Sequence, residues 1–278
     1  MLKDTKLENG QPVLTVQQLE EKIAKAISIQ EKINLTNKLA WSLRIRDSVR
    51  ALELSEKALN ESKFCGENGG PYAPGMAASL VTISFVEGEL GKLDTSLSHA
   101  LEALSYLQDQ PHPETLIHAW YTLGWAYFYS GNYPAALEFG LKSLKLSREI
   151  ENEECQPWCL DLVASTYKDP VQSVEMYREA YEIFKKLNLM EGQSRILNNW
   201  AYSLKESEEY EHALVMAYKS LELAKQINLK GDEINVTATI GEILTAMGNF
   251  SEAQTKLHNA TILFDEYGRD IRLGLYSG

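Results

Sequence analysis

The chain has 278 residues, of which 44% are apolar and 24% charged, a composition that excludes collagen-like and fully disordered chains. Its 39 acidic and 27 basic side chains give a formal net charge of -12, which disfavours nucleic acid and membrane surfaces as partners. Because no long apolar run occurs and three cysteines are too few for a disulfide framework, we predict a cytoplasmic protein.

The chain is predicted to begin with a flexible segment and one unpaired helix. Residues 1–14 open with a polar stretch and are predicted to be a flexible N-terminus. A helix is predicted over Thr15–Gln30, with Thr15 as its N-cap, because a threonine hydroxyl can accept from the first helical turn. We expect this helix to cover the first of the helix pairs that follow.

Small residues then recur at intervals of about 40 residues, in three parallel columns. Two antiparallel helices approach closely only where side chains are small, so each column marks a row of helix crossings. The columns lie early in the second helix of each pair, seven residues later, and in the first helix. In that order they are Ala51, Ser96, Ala136, Ser173, Ala213 and Ala253; Ala58, Ala103, Ser143, Ala180, Ser220 and Ala260; and Ala40, Ser84, Gly124, Ala164, Ala201 and Gly241.

The third pair carries the most specific motif. It reads WYTLGWAY over Trp120–Tyr127, followed by Gly131–Asn132 at a turn and Ala135–Ala136 in the next helix. This resembles the tetratricopeptide repeat, with its pattern W-x2-L-G-x2-Y, a turn, and alanines on a second helix. The resemblance implies an all-α fold: a right-handed α-α superhelix, or solenoid, of about six such helix pairs plus the N-terminal helix. It would form a single domain over 15–267.

The predicted turns contain residues that end helices. Gly91, Gly131 and Gly248 each lie where a first helix should stop, and Asp47 is placed to cap the second helix of the first pair. The longest break in the pattern, Cys65–Gly75, is predicted to be a surface loop. It lacks the Gly-Lys-Ser/Thr ending of a phosphate-binding loop.

A column of aromatic residues marks the candidate binding surface. In this architecture the first helices usually line a concave groove, so the residues after each small first-helix residue are candidates to contact a partner. Aromatic side chains bring large contact area at low entropic cost, while nearby Asn, Arg and Lys offer polar contacts to a peptide. The predicted groove residues are Asn37, Trp41, Arg44, Phe85, Tyr121, Trp125, Phe128, Asn198, Tyr202 and Lys205. The alternative, that the rings only pack between neighbouring first helices, stays open.

No catalytic, metal or cofactor site is predicted. The five histidines fall in different repeats, and Cys155 and Cys159 have no further His or Cys at zinc-ligand spacing. The carboxylates cluster at helix ends, where solvent screens them, and no hydrolase, kinase or dinucleotide-binding motif occurs. We therefore predict that the chain is not an enzyme; the alternative is an active site that no motif reveals.

The first pair resembles the opening repeat of bacterial signalling proteins. Asn37–Arg44 (NKLAWSLR) and Arg50–Ser55 (RALELS) carry this likeness. In those proteins a tetratricopeptide array precedes an output domain such as a diguanylate cyclase or a histidine kinase. The resemblance implies a non-catalytic, protein- or peptide-binding input region. The alternatives are a stand-alone receptor for a short signalling peptide, as in peptide-responsive regulators of Gram-positive bacteria, and a general scaffold or adaptor.

The last residues are predicted to form a tail. Residues 268–278 offer no polar closing helix of the kind that ends a solenoid, so we expect them to be a C-terminal tail within a longer protein. An uncapped end would also allow a homodimer.

Overall fold

The computed structural model describes residues 14–108, 112–167 and 169–276, and all regular structure in these ranges is helical. The predicted all-α class is therefore confirmed for the described residues. The predicted flexible segment 1–14 lies outside them, except for Leu14. The α-helices are α1 Val16–Lys25, α2 Ile29–Leu43, α3 Ser48–Ser62, α4 Ala73–Glu89, α5 Leu93–Tyr106, α6 Pro113–Tyr129, α7 Tyr133–Glu149, α8 Gln156–Thr166, α9 Pro170–Lys186, α10 Met190–Glu206, α11 Tyr210–Gln226, α12 Lys230–Ala246 and α13 Phe250–Tyr276.

The helices after α1 form six antiparallel pairs, as the repeat predicted. The chain divides into two compact units, Met1–Gln156 and Pro157–Gly278, and each is described separately. Unit 1 contains α1 and the pairs α2/α3, α4/α5 and α6/α7. Unit 2 contains the pairs α8/α9, α10/α11 and α12/α13, with α8 starting at the boundary. The single domain over 15–267 stays a prediction.

The N-terminal helix α1 is shorter than predicted. Thr15 is its N-cap, as expected, and forms a capping box with Gln18. The predicted range 15–30, however, crosses a break: α1 ends at Lys25, and Ser28 caps the start of α2 by accepting from the Glu31 amide. The sequence pattern missed this break because the short connection contains neither glycine nor proline.

The small-residue columns lie at helix crossings and are buried throughout the six pairs. At the crossing of α4 and α5, the Ser84 and Ser96 hydroxyls each donate to the other residue's backbone carbonyl, at 2.7 and 2.8 Å. At the crossing of α12 and α13, a Cβ added to Gly241 would lie 2.7 Å from Leu257 Cδ2. Small side chains are therefore required where the helices touch.

The turns inside and between the pairs share one backbone geometry. Gly91, Gly131 and Gly248 have positive φ, as a helix-ending glycine should. The residue after each donates its N–H to a carbonyl five positions earlier, as Asn132 does to Tyr127 at 2.9 Å. Non-glycine residues adopt the same conformation at other turns, namely Glu151, Asn188, Glu208 and Asn228.

Three further segments had specific predictions: the start of α3, the Cys65–Gly75 break and residues 268–276. Asp47 caps α3 by accepting from the Arg50 amide, as predicted. The Cys65–Gly75 break contains a short 3-10 turn, and its last three residues already belong to α4. The backbone from 268 to 276 continues α13 as a helix. The assignment of residues 268–278 to a C-terminal tail of a longer protein stays a prediction.

Candidate binding surface

In unit 1 the first helices α2, α4 and α6 lie side by side and bring the predicted aromatic residues into contact. Trp41 meets Phe85 edge-on, with ring centroids 5.6 Å apart, and Phe85 stacks with Tyr121 at 6.2 Å. Phe85 and Tyr121 are buried, and Trp41 is half-buried. These three rings form the packed inner end of an aromatic cluster, so here the rings pack between neighbouring first helices.

The cluster continues outward along α6 towards solvent. Tyr121 contacts Trp125 at 6.4 Å, and Trp125 contacts Phe128 edge-on at 5.2 Å and stacks with Tyr129 at 5.5 Å. Phe128 in turn meets Tyr133, the first residue of α7, at 5.4 Å. Tyr129 is 49% exposed and Tyr133 51% exposed, while Trp125 and Phe128 are half-buried. These four residues, the outer rings, present aromatic surface to solvent.

The Trp125 indole has a polar group that the described structure does not satisfy. Its Nε1 is covered, and no acceptor lies within hydrogen-bonding distance among the described residues. An unpaired buried N–H costs about 1–3 kcal/mol, so a ligand carbonyl that reached Nε1 would recover this cost. The indole therefore combines apolar contact area with one unpaired donor, which a ligand reaches only if the side chains that cover Nε1 move aside.

Arg44 is buried inside the cluster. Its guanidinium lies 4.0 Å from the centre of the Trp41 ring and 5.1 Å from that of Phe85. Nη1 donates to the Trp41 carbonyl at 2.8 Å. Cation–π contacts of this kind stabilise the arrangement of the rings. In this geometry Arg44 holds the rings together, whereas the sequence predicted that it would make a polar contact to a peptide.

His118 belongs to the same cluster, although this histidine is not among the predicted groove residues. Its imidazole stacks on Trp41, with centroids 4.0 Å apart, and its Nε2 lies 3.1 Å from the Cys155 Sγ. Burial, and then the positive charges of Arg44 and Lys38, hold the pKa of His118 well below its ordinary value. His118 is therefore neutral at physiological pH and can accept from the Cys155 thiol.

Asn37 lies on α2 below the rings and bonds within the fold. Its Nδ2 donates to the Gly75 carbonyl at 3.0 Å, and its Oδ1 accepts from the Ser79 hydroxyl at 2.8 Å. Both ends of the carboxamide thus join α2 to α4, and the side chain is buried. The predicted contact of Asn37 with a peptide backbone would require these bonds to break.

In unit 2 the remaining predicted residues lie on α10. Lys205 Nζ lies 4.0 Å from the centre of the Tyr202 ring and forms ion pairs with Glu242 at 2.7 Å and Glu206 at 3.3 Å. Burial alone would lower the pKa of Lys205, but the hydrogen bond and charge of Glu242 raise it above the ordinary value. Asn198 Oδ1 is covered and has no donor among the described residues. Tyr202 is 47% exposed.

No group of three or more His, Cys, Asp or Glu residues that could hold a metal ion occurs in the described part of the chain. Over the same residues, no helix combines the length and apolar character needed to cross a bilayer. The aromatic cluster of unit 1 is the site that the structure supports best.

Comparison with known proteins agrees with this architecture. Residues 75–149, which hold α4 to α7, match the family model of the tetratricopeptide repeat. No curated protein matches the chain.

Solved structures of similar fold cover most of the chain. A Rap protein complexed with competence and sporulation factor aligns over 93% of this chain and 80% of that chain, with a TM-score of 0.67 and 11% identity. Aspartyl phosphate phosphatase F from Bacillus subtilis aligns over 89% of this chain and 63% of that chain, with a TM-score of 0.63 and 13% identity. PlcR from Bacillus thuringiensis, in complex with the peptide PapR7 and DNA, aligns over 95% and 94%, with a TM-score of 0.58 and 14% identity. These similarities, all at low sequence identity, support the all-helical fold of this chain, and the family model describes residues 75–149 within it.

Proposed function

We propose that the chain is a non-catalytic module that binds a peptide, or a peptide segment of a partner protein, at the outer rings of unit 1. The observation that carries this proposal is the continuous contact from buried Tyr121 through Trp125 to the half-exposed Tyr129 and Tyr133. The inner rings and Arg44 fix the positions of the outer ones, so little side-chain entropy is lost on binding. We expect a ligand with apolar or aromatic side chains and a backbone carbonyl for Trp125 Nε1.

The test begins with peptides of about 12 residues, displayed as a random phage library and selected on the full chain. A selected peptide is synthesised with a fluorescent label, and its Kd is measured by anisotropy. Trp125→Ala and Tyr129→Ala should each weaken binding by about 30-fold, the loss of roughly 2 kcal/mol typical of an aromatic anchor. Tyr218→Ala, a ring of unit 2 that is 40% exposed and lies outside the predicted groove residues, is the matched control and should change Kd less than about twofold. Equal effects of all three variants would refute the proposal.

The setting of this binding is also proposed. The likeness of Asn37–Arg44 to bacterial signalling proteins supports a cytoplasmic input region attached to an output domain such as a diguanylate cyclase. Similarity to PlcR, whose structure contains a peptide, supports the alternative of a stand-alone peptide receptor. A reading frame that continues past codon 278 into a catalytic domain would favour the first. Saturable binding of a short peptide by a protein that ends there would favour the second.

We further propose that the chain binds no nucleic acid and catalyses no reaction. The exclusion of nucleic acid rests on the net charge of -12 alone, because the PlcR structure contains DNA and weakens any exclusion based on fold. The exclusion of catalysis rests on the absence of a recognised motif. Similarity to a phosphatase at 13% identity concerns the fold. Release of phosphate from a phosphorylated response-regulator domain by the purified chain would overturn this second proposal.

A further inference from the structure

The outward face of α13 carries three apolar side chains at seven-residue spacing. Phe250 is 68% exposed, Leu257 39% and Phe264 61%. Seven residues make about two helical turns, so these side chains form one stripe along the helix. The stripe is separate from the outer rings, since the outer rings belong to unit 1 and α13 belongs to unit 2.

The repeat identifies two positions of the stripe as core positions, although Leu257 already packs on one side against Gly241 of α12. Leu257 and Phe264 lie four and eleven residues after the small residue Ala253. In each of the five preceding second helices both equivalent positions are buried, as Tyr177 and Phe184 are in α9. There the next first helix covers them: a Cβ added to Gly192 of α10 would lie 2.3 Å from the Phe184 ring. Among the described helices, α12 packs along α13, and Lys256 of α13 also lies 5.2 Å from the centre of the Tyr218 ring of α11.

We propose that the stripe of α13 packs against the same stripe of a second copy of this chain, with the two helices antiparallel. The spacing is self-complementary: an antiparallel pair places Leu257 against its own counterpart on the two-fold axis, and Phe250 against Phe264 of the second copy. This contact would cover the apolar positions that a following first helix covers in the other repeats.

The charges of this segment also favour contact between two copies. The chain as a whole carries a net charge of -12, so most of its surfaces repel a second copy. Between Phe250 and Phe264, however, the one acidic residue is Glu252, and Lys256 balances it. Because one helix per copy makes a contact at the small end of stable interfaces, we expect a dimer of micromolar affinity.

The test measures the mass of the full chain in solution by sedimentation equilibrium over a range of concentrations. The wild type should approach twice the 31.3 kDa of one chain as concentration rises. Leu257→Glu and Leu257→Lys should each be monomeric, because they place like charges together on the axis, and an equimolar mixture of the two should recover the dimer. Recovery of the dimer in the mixture would show that the two Leu257 positions face each other across the contact.

Matched variants keep the result interpretable. Ile262→Glu, on a different face of the same helix and 44% exposed, should remain dimeric. Phe264→Glu lies outside the Gly241 contact and should give a folded monomer even if substitution at Leu257 disturbs folding, with circular dichroism as the check. A wild-type mass of one chain at all concentrations would overturn the proposal. So would assemblies larger than two chains, dimers that survive Phe264→Glu, or a charge-swapped mixture that stays monomeric.

Discussion

The imidazole of His118 stacks on the indole of Trp41 at 4.0 Å, and its Nε2 lies 3.1 Å from the Cys155 Sγ. The two rings belong to α6 and α2, the first helices of the third and first pairs. The Arg44 guanidinium also lies 4.0 Å from the centre of the Trp41 ring. A neutral histidine beside an arginine therefore fixes the inner end of the ring cluster, and its protonation would place two positive charges there.

This relationship predicts that the protein loses stability as the pH falls below about 6.5, the ordinary pKa of histidine. Because the pKa of His118 is depressed in the folded state, the unfolded chain takes up a proton that the folded chain excludes. The free energy of unfolding should therefore decrease between about pH 7.5 and about pH 5.5. Urea unfolding of the wild type and of His118→Asn at both pH values measures the effect, and the variant should lose less stability on acidification.

The comparison with His118→Asn is necessary because another group acts in the opposite direction. Burial raises the pKa of Glu154, so its folded form binds a proton more readily and gains stability as the pH falls. That contribution is common to both proteins and cancels in the difference. An identical loss of stability in the wild type and the variant would show that His118 does not titrate as described.

A second prediction concerns helix crossings. Ala136→Leu should lower the free energy of unfolding by about 1–3 kcal/mol, because Ala136 is fully buried and a larger side chain overfills the crossing of α6 and α7. Lys145→Leu on the same helix, where the side chain is 78% exposed, is the control and should change stability by less than about 0.5 kcal/mol. The free energy of unfolding is measured by denaturant titration. An equal change for Ala136→Leu and Lys145→Leu would contradict the packing of α6 against α7.

A third prediction concerns the turns. Glu208 has φ of 62°, the left-handed conformation that Gly131 adopts at the equivalent turn with φ of 78°. Glu208→Gly should stabilise the protein by about 0.5–1 kcal/mol, because glycine adopts this conformation without a steric penalty. Gly131→Ala should destabilise it by about 1 kcal/mol, although no neighbour lies within 4 Å of the added Cβ. Thermal melting of both variants should give shifts of opposite sign; shifts of the same sign would count against this account of the turns.

Much of the fold is predictable because one physical requirement repeats. Each helix crossing needs a small side chain, so Ala51, Ser96 and Ala136 mark crossings regardless of what surrounds them. The turn geometry is less visible in the sequence. Glu208 adopts a left-handed conformation that usually belongs to glycine or asparagine. The turn is held in this conformation because the Glu209 N–H donates to the Leu204 carbonyl, five positions earlier.

The candidate site was predictable in part. Trp41, Phe85 and Trp125 occupy one aligned column, so their assembly into one cluster follows from the repeat. The bonds of Asn37 to α4 join positions about 40 residues apart, and no local pattern reports them. The stack of His118 on Trp41 likewise depends on how α2 and α6 lie against α4, which packing alone decides.

The most direct test of the central claim is the indole region of a 15N–1H correlation spectrum, in which the five tryptophans give separate Nε1–H signals. The selected peptide is titrated into the labelled full chain, and Trp125→Phe assigns its signal. We predict that the Trp125 signal shifts downfield in proportion to bound peptide, as its Nε1–H gains an acceptor, while the signal of Trp200 in unit 2 stays in place. A Trp125 signal unchanged at saturation would contradict binding at the outer rings.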